Sequence, residues 1–335
     1  MRDGAVFPRG RTVPLLLALP VLAVSAVLPW QTGWLWAVAV IVVLGVPHGA
    51  LDVEIGRQLL RGRLGGWWFP VFAGPYLLLV AAVLLAWRWA PEVTLAAFLA
   101  ASVWHFGTED TGAGGLPALF RGGLPIAVPV LVHPDATARV FSAASGLVFA
   151  HSPAWLVAGS ILWLIPALVT AVRGRPRELL LPGLLCLAFA LLPPLTAFAL
   201  YFVVVHAPAH TAALIRHPTR APRVQDDTSA WRLAAPTTVL TVAIGAALWP
   251  FYDGESPVRL LCITLQLLAA FTLPHMILDA WLERQDRPAG QGWTGAFAAG
   301  GHASPVAPHR HAGMPGMASP LRPTLLAEAA GGLER

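Results

Sequence analysis

Ten apolar stretches recur along this chain, near residues 13–30, 33–49, 68–88, 91–107, 115–133, 154–172, 178–193, 195–216, 233–251 and 257–281. A helix crosses the hydrocarbon core of a bilayer with about 17–25 residues. Lipid offers the backbone no hydrogen-bond partners, so only helices and closed barrels span it. None of the stretches alternates apolar and polar residues with period two, so they read as helices. The expected fold is all-α: a polytopic transmembrane helix bundle of about 8–10 spans. Charged residues make up 12% of the chain, about half the ~25% typical of soluble domains.

Arginine sets the topology, because all of the 22 basic residues are Arg. With the N-terminus inside, the cytoplasmic segments carry Arg2, Arg9 and Arg11, then Arg57, Arg61 and Arg63, then Arg121, then Arg173, Arg175 and Arg177, then Arg216, Arg220, Arg223 and Arg232, then Arg284 and Arg287. The opposite loops hold Arg88 and Arg139 with the acids Asp253 and Glu255. This asymmetry follows the positive-inside rule and favours both ends in the cytoplasm. A cell inner (plasma) membrane location is expected. The net charge of +5 therefore reflects loops, and no nucleic-acid partner is expected. The start of the chain resembles a signal peptide around Ala23-Val24-Ser25-Ala26, but further spans follow and an uncleaved first span is favoured. From about Asp286 the chain turns Gly/Ala/Pro-rich without apolar period. The expected organisation is a transmembrane catalytic domain over 1–285 and a disordered cytoplasmic tail over 286–335. His302, His309 and His311 in that tail read as solvated, and Cys186 and Cys262 as small buried hydrophobes. The stretch 136–151 reads as interfacial or re-entrant.

Five histidines sit inside or at the ends of apolar stretches: His48, His105, His206, His210 and His275. An imidazole in a membrane is costly unless paired or bound. On the topology above all five fall at a similar cytoplasmic depth. His206 and His210 share one helix face, one turn apart, which is chelating spacing. A carboxylate follows three of the others at i+4: Asp52 after His48, Glu109 after His105, and Asp279 after His275. Metal-bound imidazoles usually donate their second N–H to such a group. Imidazole-rich sites suit Zn, Cu, Fe or Ni. Four neutral histidines on a six-coordinate iron leave positions open for O2 beside an apolar substrate. His133, His151 and His217 adjoin prolines and loops and read as structural.

The same residues carry a resemblance. Gly45-Val46-Pro47-His48-Gly49-Ala50-Leu51-Asp52, Trp104-His105-Phe106-Gly107-Thr108-Glu109-Asp110, His206-Ala207-Pro208-Ala209-His210 and Leu273-Pro274-His275-Met276-Ile277-Leu278 resemble, in this order, the motifs of the Brp/Blh family of membrane-integral β-carotene 15,15′-dioxygenases. The resemblance covers about residues 40–285. It implies a non-haem Fe(2+) centre that uses O2 to cleave β-carotene at its central double bond into two molecules of all-trans-retinal. It places the metal ligands on His48, His105, His206 and His210. It gives His275 a supporting or substrate-facing catalytic role, beside Asp52 and Glu109 as carboxylates that hold imidazoles. The implied partners are β-carotene, O2 and membrane lipid, with a retinal-binding rhodopsin as downstream user. A hydrocarbon dissolved in the bilayer reaches such an enzyme laterally, without exposure to water. Trp104, Phe106, Tyr201, Phe202 and Phe271 are candidates to line its tunnel.

Two other classes stay open at this point. A membrane di-iron hydroxylase or desaturase acting on a lipid or carotenoid uses HxxxH-type boxes, but with more histidines and adjacent His-His pairs. A metal or proton transporter also places histidines and acids in the membrane, but as a path across it, often built on inverted repeats.

Overall fold

A computed structural model describes residues 20–286, apart from 21, 22, 25, 29 and 113. The stretch near 13–30 and the tail 286–335 thus lie largely outside the described residues. The chain is all-helical: α1 (Trp30–Val40), α2 (Val46–Ala50), α3 (Asp52–Leu64), α4 (Trp68–Trp89), α5 (Pro91–Thr111), α6 (Gly115–Val132), α7 (Pro134–Ser145), α8 (Ala154–Arg173), α9 (Pro176–Leu191), α10 (Pro194–Tyr201), α11 (Ala207–Arg216), α12 (Asp227–Leu248) and α13 (Ser256–Asp286). The boundaries follow local chemistry. Pro91, Pro134, Pro176 and Pro194 each open a helix, where a missing N–H costs nothing. Asp226 caps α12 by accepting the Ser229 N–H at 2.7 Å, and that bond holds its carboxyl below the usual range.

Six helical stretches among the described residues are long and apolar enough to cross a membrane: Thr32–Trp89, Gly115–Val132, Ala154–Arg173, Pro194–Arg216, Asp227–Phe251 and Ser256–Leu282. The first runs 58 residues and bends at Leu51 and at Gly65–Trp67, so it folds back within itself. The protein is a polytopic transmembrane helix bundle. Its surface is inverted relative to a soluble domain: Leu78, Leu168, Val172, Leu191 and Val239 are exposed, while His48, Asp52, His105, Arg121, His206, His210, Gln266 and His275 are buried. The stretch 136–151 resolves into α7 and a following loop.

Two features set the helices around the centre. First, α5 and α6 pack closely, because a Cβ at Gly107 or Gly122 would overlap the facing backbone at Ala118 or Val103. Such small-residue contacts let membrane helices approach. Second, α1 passes into α2, and α10 into α11, through π-helical turns at Ile41–Gly45 and Phe202–His206. Each turn lies just before a proline, Pro47 or Pro208, which cannot donate to the carbonyl four residues back. The ladder widens instead: the Val46 N–H bonds Ile41 O and the Ala207 N–H bonds Phe202 O. The two turns also touch, since a Cβ at Gly45 would overlap the Phe202 ring. His48 and His206 are thereby presented side by side.

Candidate metal centre

The five intramembrane histidines form one cluster. Ring centroids lie 5.4 Å apart for His48–His206 and His48–His210, 5.5 Å for His48–His275, and 5.0 Å for His210–His275. His105 is 5.1 Å from His206 and 5.3 Å from His275. All five side chains are buried. They arrive from α2, α5, the α10–α11 turn, α11 and α13, so the centre ties together most of the bundle.

Each of four imidazoles is held from behind at Nδ1. His48 Nδ1 bonds the Gly45 carbonyl within its own turn. His206 Nδ1 lies 3.3 Å from Asp110 Oδ1, His210 Nδ1 3.0 Å from Glu109 Oε1, and His275 Nδ1 3.0 Å from Asp52 Oδ1. The opposite nitrogens, Nε2 of His206, His210 and His275, are buried without a hydrogen-bond partner, as are Glu109 Oε2 and Asp279 Oδ2. Buried polar atoms are nearly always satisfied. Imidazole nitrogens anchored at Nδ1, with their Nε2 atoms turned toward carboxylate oxygens 3.3 Å (His206–Glu109) and 3.2 Å (His275–Asp279) away, fit a metal ion. Two groups have ligand atoms all within 4.8 Å of one another: Glu109, His210, His275 and Asp279, and His105, Glu109 and His206.

The carboxylates are present, but their partners differ from helical spacing. Asp52 does not serve His48. Helix α2 ends at Ala50, Leu51 turns back to bond His48 O and Gly49 O, and α3 starts at Asp52. The Asp52 carboxylate is thereby turned to His275 and accepts the Tyr76 hydroxyl at 2.9 Å. Glu109, with His105 on the uninterrupted α5, has Oε2 3.8 Å from His105 Nε2 but only 3.3 Å from His206 Nε2. Asp279 keeps the helical pairing, 3.2 Å from His275 Nε2. His275 is as deep in the cluster as the other four, which its place in the sequence motifs did not indicate.

Sequence reasoning missed a second buried group. Asp110 accepts the Tyr201 hydroxyl at 2.9 Å and pairs with Arg121 Nε at 3.4 Å. Arg121 is not a cytoplasmic loop residue: it is buried inside α6. The signal was there, because this Arg stands six residues into an apolar stretch.

A cavity of about 610 Å³ opens beside the cluster, walled mainly by aliphatic and aromatic residues from α1, α4, α12 and α13, with four threonines and His48, Asp52, Tyr76 and His275 as its polar part. Of the aromatic candidates, Phe271 lines it. Phe106 and Phe202 pack against His206, with centroids 4.7 and 5.7 Å away. Trp104 is half exposed, and Tyr201 is sealed in the core. His133 bonds the Ala190 carbonyl, and His151 is exposed beside Asp135.

Comparison with known proteins points one way. A family profile described as beta-carotene 15,15'-dioxygenase matches residues 39–283. The chain is 29% identical over 291 residues to a probable beta-carotene 15,15'-dioxygenase Blh of Halobacterium salinarum, covering 74% of this chain and 83% of that protein. It is 27% identical over 274 residues to the beta-carotene 15,15'-dioxygenase of an uncultured marine bacterium, covering 74% of this chain and 93% of that one. No solved structure matches the chain.

Proposed function

The chain belongs to the beta-carotene 15,15'-dioxygenase family of oxidoreductases, and on that premise we propose that it cleaves β-carotene with O2 at the central 15,15′ double bond, giving two molecules of all-trans-retinal. The observation that carries this reading is the juxtaposition of the imidazole cluster with the apolar cavity inside a membrane bundle. The substrate is a hydrocarbon without a polar handle, so shape and burial must hold it. The cavity wall presents His48 and His275, with Asp52 and Tyr76, in a mainly apolar lining.

In this proposal His48, His105, His206 and His210 hold Fe(2+), which supplies O2 activation when bound. Imidazole and carboxylate donors suit iron. His275, Asp52 and Glu109 support them. Asp52 fixes His275 through its Nδ1–H, and Glu109 fixes His210 in the same way. One carbon–carbon double bond breaks and two carbonyls form, with O2 as the oxidant. The protein works in the cell inner membrane, takes its substrate from the lipid, and releases retinal to a downstream user such as a retinal-binding rhodopsin. Family membership displaces the hydroxylase and transporter readings.

Expression in a host that accumulates β-carotene tests the reaction. Loss of the orange colour with retinal as the product is expected. Unchanged β-carotene, or aldehydes of unequal length, would overturn the reading.

A further inference from the structure

A second, much smaller cavity of about 70 Å³ lies between α2, the α10–α11 turn and the start of α12. Leu44, Pro47, His48 and Leu51 face it at helical spacing, while Val46, Gly49 and Ala50, on the other face of the same helix, line the 610 Å³ cavity. Among the described residues, His48 is the one that both walls share. The space exists because Ala207, Ala230 and Ala234 border it where larger side chains would fill it. All three are buried. A void forfeits the contacts that its lining would otherwise make, so one kept at a buried imidazole points to an occupant.

Size and lining select that occupant. A water takes up about 30 Å³ in the liquid, so the space admits a few molecules of that size and excludes a ring-bearing C20 chain. A buried water also needs several polar partners, and this wall offers few. Thr211 donates its hydroxyl to the Ala207 carbonyl at 3.0 Å, and His48 Nδ1 is taken by the Gly45 carbonyl. Asp227 and Trp231 stand in the first two turns of α12, with Trp231 exposed. The rest of the wall is aliphatic. Apolar cavities of this kind stay dry and take up small apolar guests. We propose that the 70 Å³ cavity is a binding site for O2, which reaches the imidazole cluster along one face of α2 while the carotenoid lies along the other. The inference rests on the reading that the chain uses O2 on a carotenoid, and it adds a separate place for the gas. A hydrocarbon seated in the larger cavity then does not stand in the way of O2.

Xenon, a small apolar atom, is the probe. A crystal of the full chain under xenon pressure should show an atom beside Ala234, and Ala234→Leu should exclude it. In the same variant the KM for O2 should rise several-fold, with the KM for β-carotene as in wild type. Val42→Trp, in the larger cavity, should act on β-carotene and leave the KM for O2 as it was. Ala230→Val fills less of the small cavity and repeats the comparison if the leucine disturbs folding. Oxidation of the Fe(II)-loaded protein by O2 without carotenoid gives a readout independent of cleavage, and it should be slower in Ala234→Leu. No xenon in the wild-type cavity overturns the proposal. So does xenon displaced with the KM for O2 and the oxidation rate unchanged. Absence of retinal would remove the proposed reaction, while the xenon site and the oxidation rates would still decide the place of O2.

Discussion

Two relays of the same composition flank the imidazole cluster. In one, the Tyr76 hydroxyl donates to Asp52, which holds His275; in the other, the Tyr201 hydroxyl donates to Asp110, which holds His206. Both tyrosine–carboxylate bonds are 2.9 Å long. Their surroundings differ. Tyr76, Asp52 and His275 stand on the wall of the 610 Å³ cavity. Tyr201, Asp110 and His206 are sealed between α5, α6 and the α10–α11 turn, with Arg121 bonded to the carboxylate. The sealed relay is part of the packing that holds the bundle together. The open relay adjusts an imidazole that faces the cavity. One motif thus serves fold on one side and chemistry on the other, and its neighbours decide which.

The strongest test of this contrast is to remove each carboxylate. Asp110→Ala leaves Arg121 buried without its partner and strips the acceptor from His206 and Tyr201. Breaking a buried pair from one side costs about 3–5 kcal/mol, against a typical total stability of roughly 5–15 kcal/mol. The expected result is aggregated protein on size exclusion and a collapsed melting transition. Asp52→Ala strands no cation, so it should stay monodisperse. Equal behaviour of the two would dissolve the distinction.

Asp52→Asn is the next largest effect, and it should appear in metal binding. Asp52 holds His275, which stands among the proposed ligands, and outer partners in a metal site affect affinity or activity by roughly 10–100-fold. Titrating Fe(II) into stripped wild type and variant should show a loss in that range with the fold intact. Equal affinity and turnover would reduce Asp52 to a packing residue.

The bundle itself was legible because lipid leaves so few choices, and the histidines stood out because imidazole is rare in such stretches. The pairing of carboxylates was not legible, and the reasons are local. Spacing placed Asp52 over His48, but a single residue, Leu51, breaks the helix between them and turns Asp52 to a partner 223 positions away. Arg121 read as a loop residue because the positive-inside count treats every Arg alike, yet Asp110 draws it into α6. The π-turns that set His48 beside His206 follow from Pro47 and Pro208, but no periodicity reports how two such turns pack. The cavity is a product of six helices, and no one segment encodes it.

A bulky residue on the open side separates shape from metal. Val42 lines the cavity, and Val42→Trp should overfill it at a cost of about 1–3 kcal/mol. Turnover should fall roughly tenfold while iron content is unchanged. Loss of iron together with activity would mean that the wall and the centre are one packed unit.

The smallest effect compares the two hydroxyls. Tyr76→Phe removes one donor from Asp52, whose remaining bond is to His275. Tyr201→Phe removes one donor from Asp110, which keeps both Arg121 and His206. A hydrogen bond to a charged group is worth about 1.5–3 kcal/mol, but only the part felt by the imidazole reaches the metal. On the open side the carboxylate then swings on a single contact, so turnover should drop a few-fold and iron should dissociate faster, with little change in melting temperature. On the sealed side the guanidinium keeps the carboxylate in register, so turnover should hold, while the unfilled space left by the hydroxyl lowers the melting temperature slightly. Measuring both quantities on both variants gives a crossed pattern if the two relays have different duties. A parallel loss, with each variant shifting turnover and melting alike, would show that Arg121 does not stiffen its side and that the two relays are equivalent.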